Sequence, residues 1–224
     1  MRSTSDGNTW TNWDWSGGND GAGIYFQVFN SKLYQFIISA GRNYMRSTAD
    51  GNTWTNWDWS GGNDGMGVYL TEFNGKLYES VISGGGNWTR TTADGNTWSG
   101  WEGSGGNDKK GIYFETYDGR LYQSVISAGV NWTRSTNGTT WSNWEGNGGN
   151  DGKGIFFANY NNKLYQAIIS GNKTWVRMLS GTTWSNWLEN GNNNGRAVHF
   201  YQFDDKLFQG TVFNGINQFR YYVK

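Results

Sequence analysis

The chain contains no cysteine, which excludes disulfides and thiol chemistry and leaves its redox compartment unread. It has no net charge, with eighteen basic residues balancing eighteen acidic ones. That balance excludes the basic footprint of a nucleic-acid binder and electrostatic docking on anionic membranes. No apolar run approaches the ~18 residues of a bilayer span, so no membrane insertion is expected. The opening MRSTSDGNTW lacks the apolar stretch of a signal peptide. A removed leader would leave no trace, so the expectation is a soluble protein, secreted or cytoplasmic. There is one histidine and no HExxH, P-loop or clustered ligand set. No metal and no cofactor are therefore expected. The repeated Asn-Asp pairs described below could offer oxygens to calcium, but one carboxylate per loop is thin for that ion.

What is present is skewed. Thirty-five glycines accompany fifteen tryptophans, thirteen tyrosines and no proline. Disordered chains are poor in aromatics, so glycine here reads as turns between many short strands. Internal repetition then decides the fold class. The first tryptophan of each W-x-x-W falls at Trp10, Trp54, Trp98, Trp141 and Trp184. Parallel series run Leu33, Leu77, Leu121, Leu164, Leu207 and Arg2, Arg46, Arg90, Arg134, Arg177, Arg220. A period of about 43–44 residues with four strands per repeat is that of a propeller blade.

In one repeat the strands are expected at 24–30, 32–39, 43–48 and 53–59. The first two are apolar on both faces, the pattern of a strand buried on both sides. Asn74-Gly75 and Asp118-Gly119 are clean hairpin turns. The chain begins in a third strand and a fourth, and ends after a first, a second and a third. Residues 1–224 are thus expected to form one domain, an all-β, five-bladed β-propeller of four-stranded antiparallel blades. The ring would be closed by the N-terminal outer strand pairing with the last blade, which removes an open edge. Residues 1–5 would be a surplus third-strand copy, frayed or displaced. An open β-solenoid is the alternative, but neither end resembles a polar capping repeat.

The turns TSDGNTW, TADGNTW and TADGNTW resemble the Asp-box, S-x-D-x-G-x-T-W, one residue shorter; repeats four and five lose the aspartate. The wider pattern, LYQ…I-S…W-T-R-S-T-x-x-G-x-T-W-S-N-W, resembles that of bacterial and fungal β-propeller lectins along the whole chain. The resemblance implies a turn-fixing role for Asp6, Asp50 and Asp94. It also implies a non-enzymatic, multivalent sugar-binding protein, with glycans on cell surfaces or glycoproteins as partners.

The loops expected on one face combine two features. One is an Asn-Asp pair: Asn19-Asp20, Asn63-Asp64, Asn107-Asp108 and Asn150-Asp151. The other is an aromatic opening the third strand: Tyr44, Trp88, Trp132 and Trp175. Trp15 and Trp59 would widen the first two sites. An indole can carry the C–H face of a sugar ring, and short amides and carboxylates suit its hydroxyls. The bland readings stand beside these: Asn-Asp-Gly is also a good turn sequence, and repeated tryptophan also fills space between blades. The W-x-x-W tryptophans read as core, the arginine series as structural, and His199 as packed within a strand beside Phe200. The fifth repeat, with Asn194 and Gln218 in place of Asp and the aromatic, is expected to be weak or absent as a site. Even distribution of polar groups argues against an asymmetric catalytic constellation. One shallow sugar site per repeat is the expectation. A protein-interaction scaffold, or a constructed propeller without a natural ligand, is the alternative.

Overall fold

The computed structural model describes residues 2–13, 17–21, 23–195 and 197–222. The architecture is all-β, with five antiparallel sheets as the blades of a five-bladed β-propeller. The first blade comprises β1 (Ile24–Phe29), β2 (Lys32–Ser39), β3 (Arg42–Thr48) and β4 (Asp58–Gly62). The second comprises β5 (Val68–Phe73), β6 (Lys76–Ser83), β7 (Gly86–Thr92) and β8 (Glu102–Gly106). The third is β9 (Ile112–Tyr117), β10 (Arg120–Ser127), β11 (Val130–Thr136) and β12 (Glu145–Gly149). The fourth is β13 (Ile155–Tyr160), β14 (Lys163–Ser170), β15 (Lys173–Ser180), the two-residue β16 (Thr183–Trp184) and β17 (Leu188–Asn192). The fifth has β18 (His199–Phe203), β19 (Lys206–Phe213) and β20 (Ile216–Tyr222). Among the described residues no helix is long and apolar enough to cross a membrane.

The first and second strands of every blade meet in a two-residue turn with both central residues at positive φ. Examples are Asn74-Gly75 (50°, 68°) and Asp118-Gly119 (48°, 67°). This turn matches the twist of the flanking strands. The fourth strand departs from expectation. The W-x-x-W segment lies largely outside the ladder, and pairing resumes beyond it at the D-W-S-G-G run, through an irregularity between Arg42 and Tyr44 in the first blade. The reason is the arginine of the third strand. Arg46 stacks on Trp54 and Trp57, Arg134 on Trp141 and Trp144, and Arg177 on Trp184 and Trp187, all within 4.1–4.7 Å of the ring centres. Two indoles cannot flank one guanidinium while the intervening chain stays in register.

These arginines are buried, and their Nε atoms donate along the blade to the second strand: Arg134 to Gln123 at 2.7 Å and Arg177 to Gln166 at 2.6 Å. The glutamine amide then crosses to the preceding blade. Gln123 reaches Ser80 and Thr89, and Gln166 reaches Ser124 and Thr133. Buried polar groups are thereby paired across the blade junctions. The second blade breaks the pattern with Glu79, and the preceding blade explains why. It presents Phe36 and Met45 where the second and third blades present hydroxyls. A glutamine amide would find no acceptor there, whereas a carboxylate has no donor to satisfy and pairs with Arg90 (2.6 and 2.7 Å). Gln209 in the fifth blade shows the alternative. It lies behind Ala167 and Val176, and its buried Nε2 has no partner.

The expected pairing of the N-terminal strand with the last blade is not among the strand pairings of the described residues, where the fifth sheet has three strands. Residues 2–13 instead make their own turn, with Thr11 N–H donating to the Ser3 carbonyl and Arg2 stacked on Trp10 and Trp13. Among its described residues, the surplus third-strand copy thus holds its arginine on the tryptophans of its own repeat. Blade-edge residues at this end of the arc stay open: Ile24 is 53% exposed, while its counterparts Val68, Ile112 and Ile155 are buried.

Candidate functional site: clefts between blades

The third-strand aromatics stand at the blade junctions. The indole N–H groups of Trp88, Trp132 and Trp175 donate to the carbonyls of Ser83, Ser127 and Ser170 at 3.1–3.2 Å. That bond fixes each ring's edge to its own hairpin. Across the sheet the ring needs room. A Cβ at Gly103 would come within 3.1 Å of the Trp88 ring, and one at Gly146 within 2.8 Å of Trp132. In the first blade the bulk is exchanged: Tyr44 faces Trp59, over which Arg42 sits at 4.6 Å. In the fourth, Trp175 faces Glu189, which is held by Lys173 at 2.8 Å. Trp15 lies outside the described residues.

At two junctions the second tryptophan of the W-x-x-W, read as core, forms the other wall. Trp132 and Trp144 bound a cleft of 200 Å³ floored by Gly105 and Gly106 of β8. Trp175 and Trp187 bound one of 370 Å³ floored by Gly148 and Gly149 of β12. Each cleft therefore lies between one blade's fourth strand and the next blade's second and third. Gly105 and Gly148 have positive φ (82° and 78°), so a side-chain residue there would be strained as well as filling the floor. Sequence reasoning found Trp132 and Trp175 but missed Trp144 and Trp187. Their exact period was visible, yet period alone does not separate a wall from a core filler.

The Asn-Asp loops serve these junctions from inside. Asn63, Asn107 and Asn150 are buried. Their amides donate to Asn43, Asn87 and Asn131 of the same blade and to the carbonyls of Gly67, Gly111 and Gly154. The more exposed Asn19 makes the same loop closure to Gly23. The aspartates reach the next hairpin. Asp20 accepts from the N–H groups of Ala40 and Gly41, Asp64 from Gly84 and Gly85, Asp108 from Ala128 and Gly129, and Asp151 from Asn172. Those backbone bonds hold the Asp20 and Asp64 carboxyls below the usual carboxylate range. The structure thus places the Asn-Asp pairs as clamps on the loops that frame the clefts. In the fifth blade Asn194 makes a similar clamp to Asn214, while Gln218 and Phe219 border a smaller, more polar hollow of 110 Å³.

Other chemistry is sparse. His199, expected to be packed, opens β18 in an exposed position. Among the described residues no group of three His, Asp or Glu side chains could hold a metal. On the inner strand β9, burial pushes the Glu115 carboxyl up from its ordinary value. It accepts from Asn159 Nδ2 at 2.9 Å, and Asn159 borders a 720 Å³ hollow on the hairpin side. Sequence reasoning did not single out Glu115. The equivalent positions are Gln27, Thr71, Ala158 and Tyr201, so the repeat gave no signal for it.

No family model and no curated protein matches this chain. Solved structures do. Bacteroides ovatus Xyloglucan PUL GH43B is 12% identical, with a TM-score of 0.47 over 88% of this chain and 51% of its own. The polysaccharide lyase Uly1 is 10% identical, with a TM-score of 0.45 over 84% of this chain and 54% of its own. BBS1N, solved in complex with ARL6DN, is 11% identical, with a TM-score of 0.49 over 84% and 61%. The chain thus spans about half to three fifths of these proteins, and at such identity the likeness is one of fold. Family-43 glycoside hydrolases recur among the matches. The expected resemblance to bacterial and fungal β-propeller lectins is corrected accordingly: the structures matched are glycoside hydrolases, a polysaccharide lyase and BBS1N. With that correction the lectin reading is set aside, and with it the expectation of a non-enzymatic protein, which rested on the even distribution of polar groups.

Proposed function

We propose that this propeller takes a carbohydrate as substrate, with the clefts between blades as the subsites that hold sugar rings. The observation that carries the reading is the repeated cleft walled by two indoles, Trp132 with Trp144 and Trp175 with Trp187. Indole faces bury the C–H face of a pyranose, and the glycine floor lets backbone approach it closely. Sites of this kind repeated along one rigid arc favour a polymer over a single sugar, because the second unit binds at high effective concentration. For bond cleavage the chain offers Glu115. A carboxyl that burial raises above its ordinary value, beside the hairpin-side hollow that Asn159 borders, suits protonation of a leaving oxygen held there.

The test is a panel of plant, algal and microbial polysaccharides incubated with the protein, read by new reducing ends and by absorbance of unsaturated products. Turnover is expected, with Glu115→Gln lowering kcat at least 100-fold, the low end of general-acid contributions. Trp132→Ala and Trp175→Ala should raise KM while leaving kcat nearly unchanged. No product from any polysaccharide at high protein concentration would remove the reading. Full activity in Glu115→Gln would remove Glu115 from it.

A further inference from the structure

The junctions between successive blades differ, among other points, in the residue at the centre of the preceding fourth strand. It is Ser60 in β4, Ser104 in β8 and Asn147 in β12. The indole N–H of the facing tryptophan meets a different fate in each. Trp101 donates to the Ser60 backbone carbonyl at 2.9 Å. Trp187 donates to the Asn147 side-chain oxygen at 2.8 Å. Trp144 has no acceptor, although its Nε1 is buried, and the Oγ of Ser104 in the same cleft is also buried without a partner. A buried donor and a buried hydroxyl left open in one cavity are costly unless something fills them. The next cleft shows what fills them, because there the amide oxygen of Asn147 occupies the acceptor position.

We infer that the cleft between the second and third blades is a hydroxyl-binding subsite: a sugar hydroxyl accepts the Trp144 N–H and exchanges a hydrogen bond with Ser104, its ring lying against Trp132. The cleft between the third and fourth blades carries its own acceptor in Asn147, so its indole N–H is not offered to a ring held there. The two clefts thus differ in specificity despite their shared walls. A site that bonds a hydroxyl rejects a ligand lacking it, whereas the Asn147 cleft does not discriminate in this way. This inference rests on the reading of the clefts as sugar-holding subsites.

The experiment follows the indole N–H resonances of the ¹⁵N-labelled full chain, assigned by Trp→Phe variants. The probes are D-glucose, D-galactose, D-mannose, D-xylose and L-fucose, added singly into the millimolar range. At least one pyranose is expected to shift the Trp144 resonance downfield saturably, with little effect on that of Trp187. Ser104→Asn, which supplies the side-chain acceptor found in the next cleft, should weaken that response roughly tenfold, the equivalent of one good hydrogen bond. Asn147→Ser should make the Trp187 resonance respond like that of Trp144. This second variant opens space, so it remains informative if Ser104→Asn does not fold. Responses confined to Trp187, or an unaltered Trp144 response in Ser104→Asn, would overturn the inference while leaving the clefts as subsites. No response at any indole, together with turnover of a polysaccharide, would overturn both the inference and the cleft assignment but not the activity. No response and no turnover would remove the functional reading itself.

Discussion

Replacing Arg134 by methionine tests how the blades are held. The guanidinium is 5% exposed and lies 4.1 Å from the Trp141 ring centre and 4.7 Å from that of Trp144. Each desolvated stack contributes about 1–2 kcal/mol. The Nε–H to Gln123 at 2.7 Å is a hydrogen bond from a charged donor, contributing about 1.5–3 kcal/mol. Against these stands the cost of taking the cation out of water, which pushes the Arg134 pKa down to about 10. That shift corresponds to roughly 3 kcal/mol. Methionine keeps the apolar contact with both indoles but leaves the Gln123 oxygen without its donor. The balance is a net loss of roughly 2 kcal/mol, or about 4–8 °C in Tm for a chain of this size. Urea denaturation monitored by tryptophan fluorescence, with a thermal scan beside it, measures the loss. Arg2→Met is the internal control. It breaks the same stack on the exposed Trp10 and Trp13 and should leave the midpoint unchanged. An Arg134→Met chain as stable as the parent would refute the view that the stacked arginine, rather than the indoles alone, locks the fourth strand.

The carboxylates give opposite pH signatures. Asp50 accepts from the N–H groups of Thr53 and Asn52, which hold its pKa at about 2 against an ordinary 3.8. A lowered folded value means stability that is complete above the ordinary range and lost as pH falls through about 2. Asp50→Asn should flatten the acid limb of a stability–pH curve, and an unchanged limb would contradict the turn-fixing role. Glu79 is the reverse case: its full burial raises its pKa despite the Arg90 partner. The unfolded chain then releases that proton first, so stability falls as pH rises from the ordinary carboxylate range through the raised folded value. Glu79→Gln should remove that decline, and a retained slope would show that it arises elsewhere.

The sequence by itself determined the blade. The 43–44-residue period places every turn, because a positive φ at both hairpin positions favours Asn, Asp and Gly, and those residues recur on schedule. The structural role of Arg46, Arg90, Arg134 and Arg177 was legible too, since a cation copied in register with two tryptophans has a stacking partner within its own repeat. The turn role of Asp6, Asp50 and Asp94 was equally local: each side chain bonds N–H groups two and three residues on.

What the tertiary structure decided is everything that depends on the neighbouring blade. Whether a glutamine or Glu79 suits the second strand is set by Phe36 and Met45 on another sheet. Whether an Asn-Asp pair faces outward or clamps a hairpin is set by where the adjacent Gly-Gly or Ala-Gly backbone turns. Trp144 and Trp187 become cleft walls only because a glycine floor comes from the preceding repeat. Among the described residues Arg2 keeps its own stack on Trp10 and Trp13 and the fifth sheet has three strands, a matter of contacts between distant ends of the chain that the repeat alone does not decide. Repetition in sequence specifies each unit's internal bonds, but the bonds between units depend on the few positions at which the repeats differ.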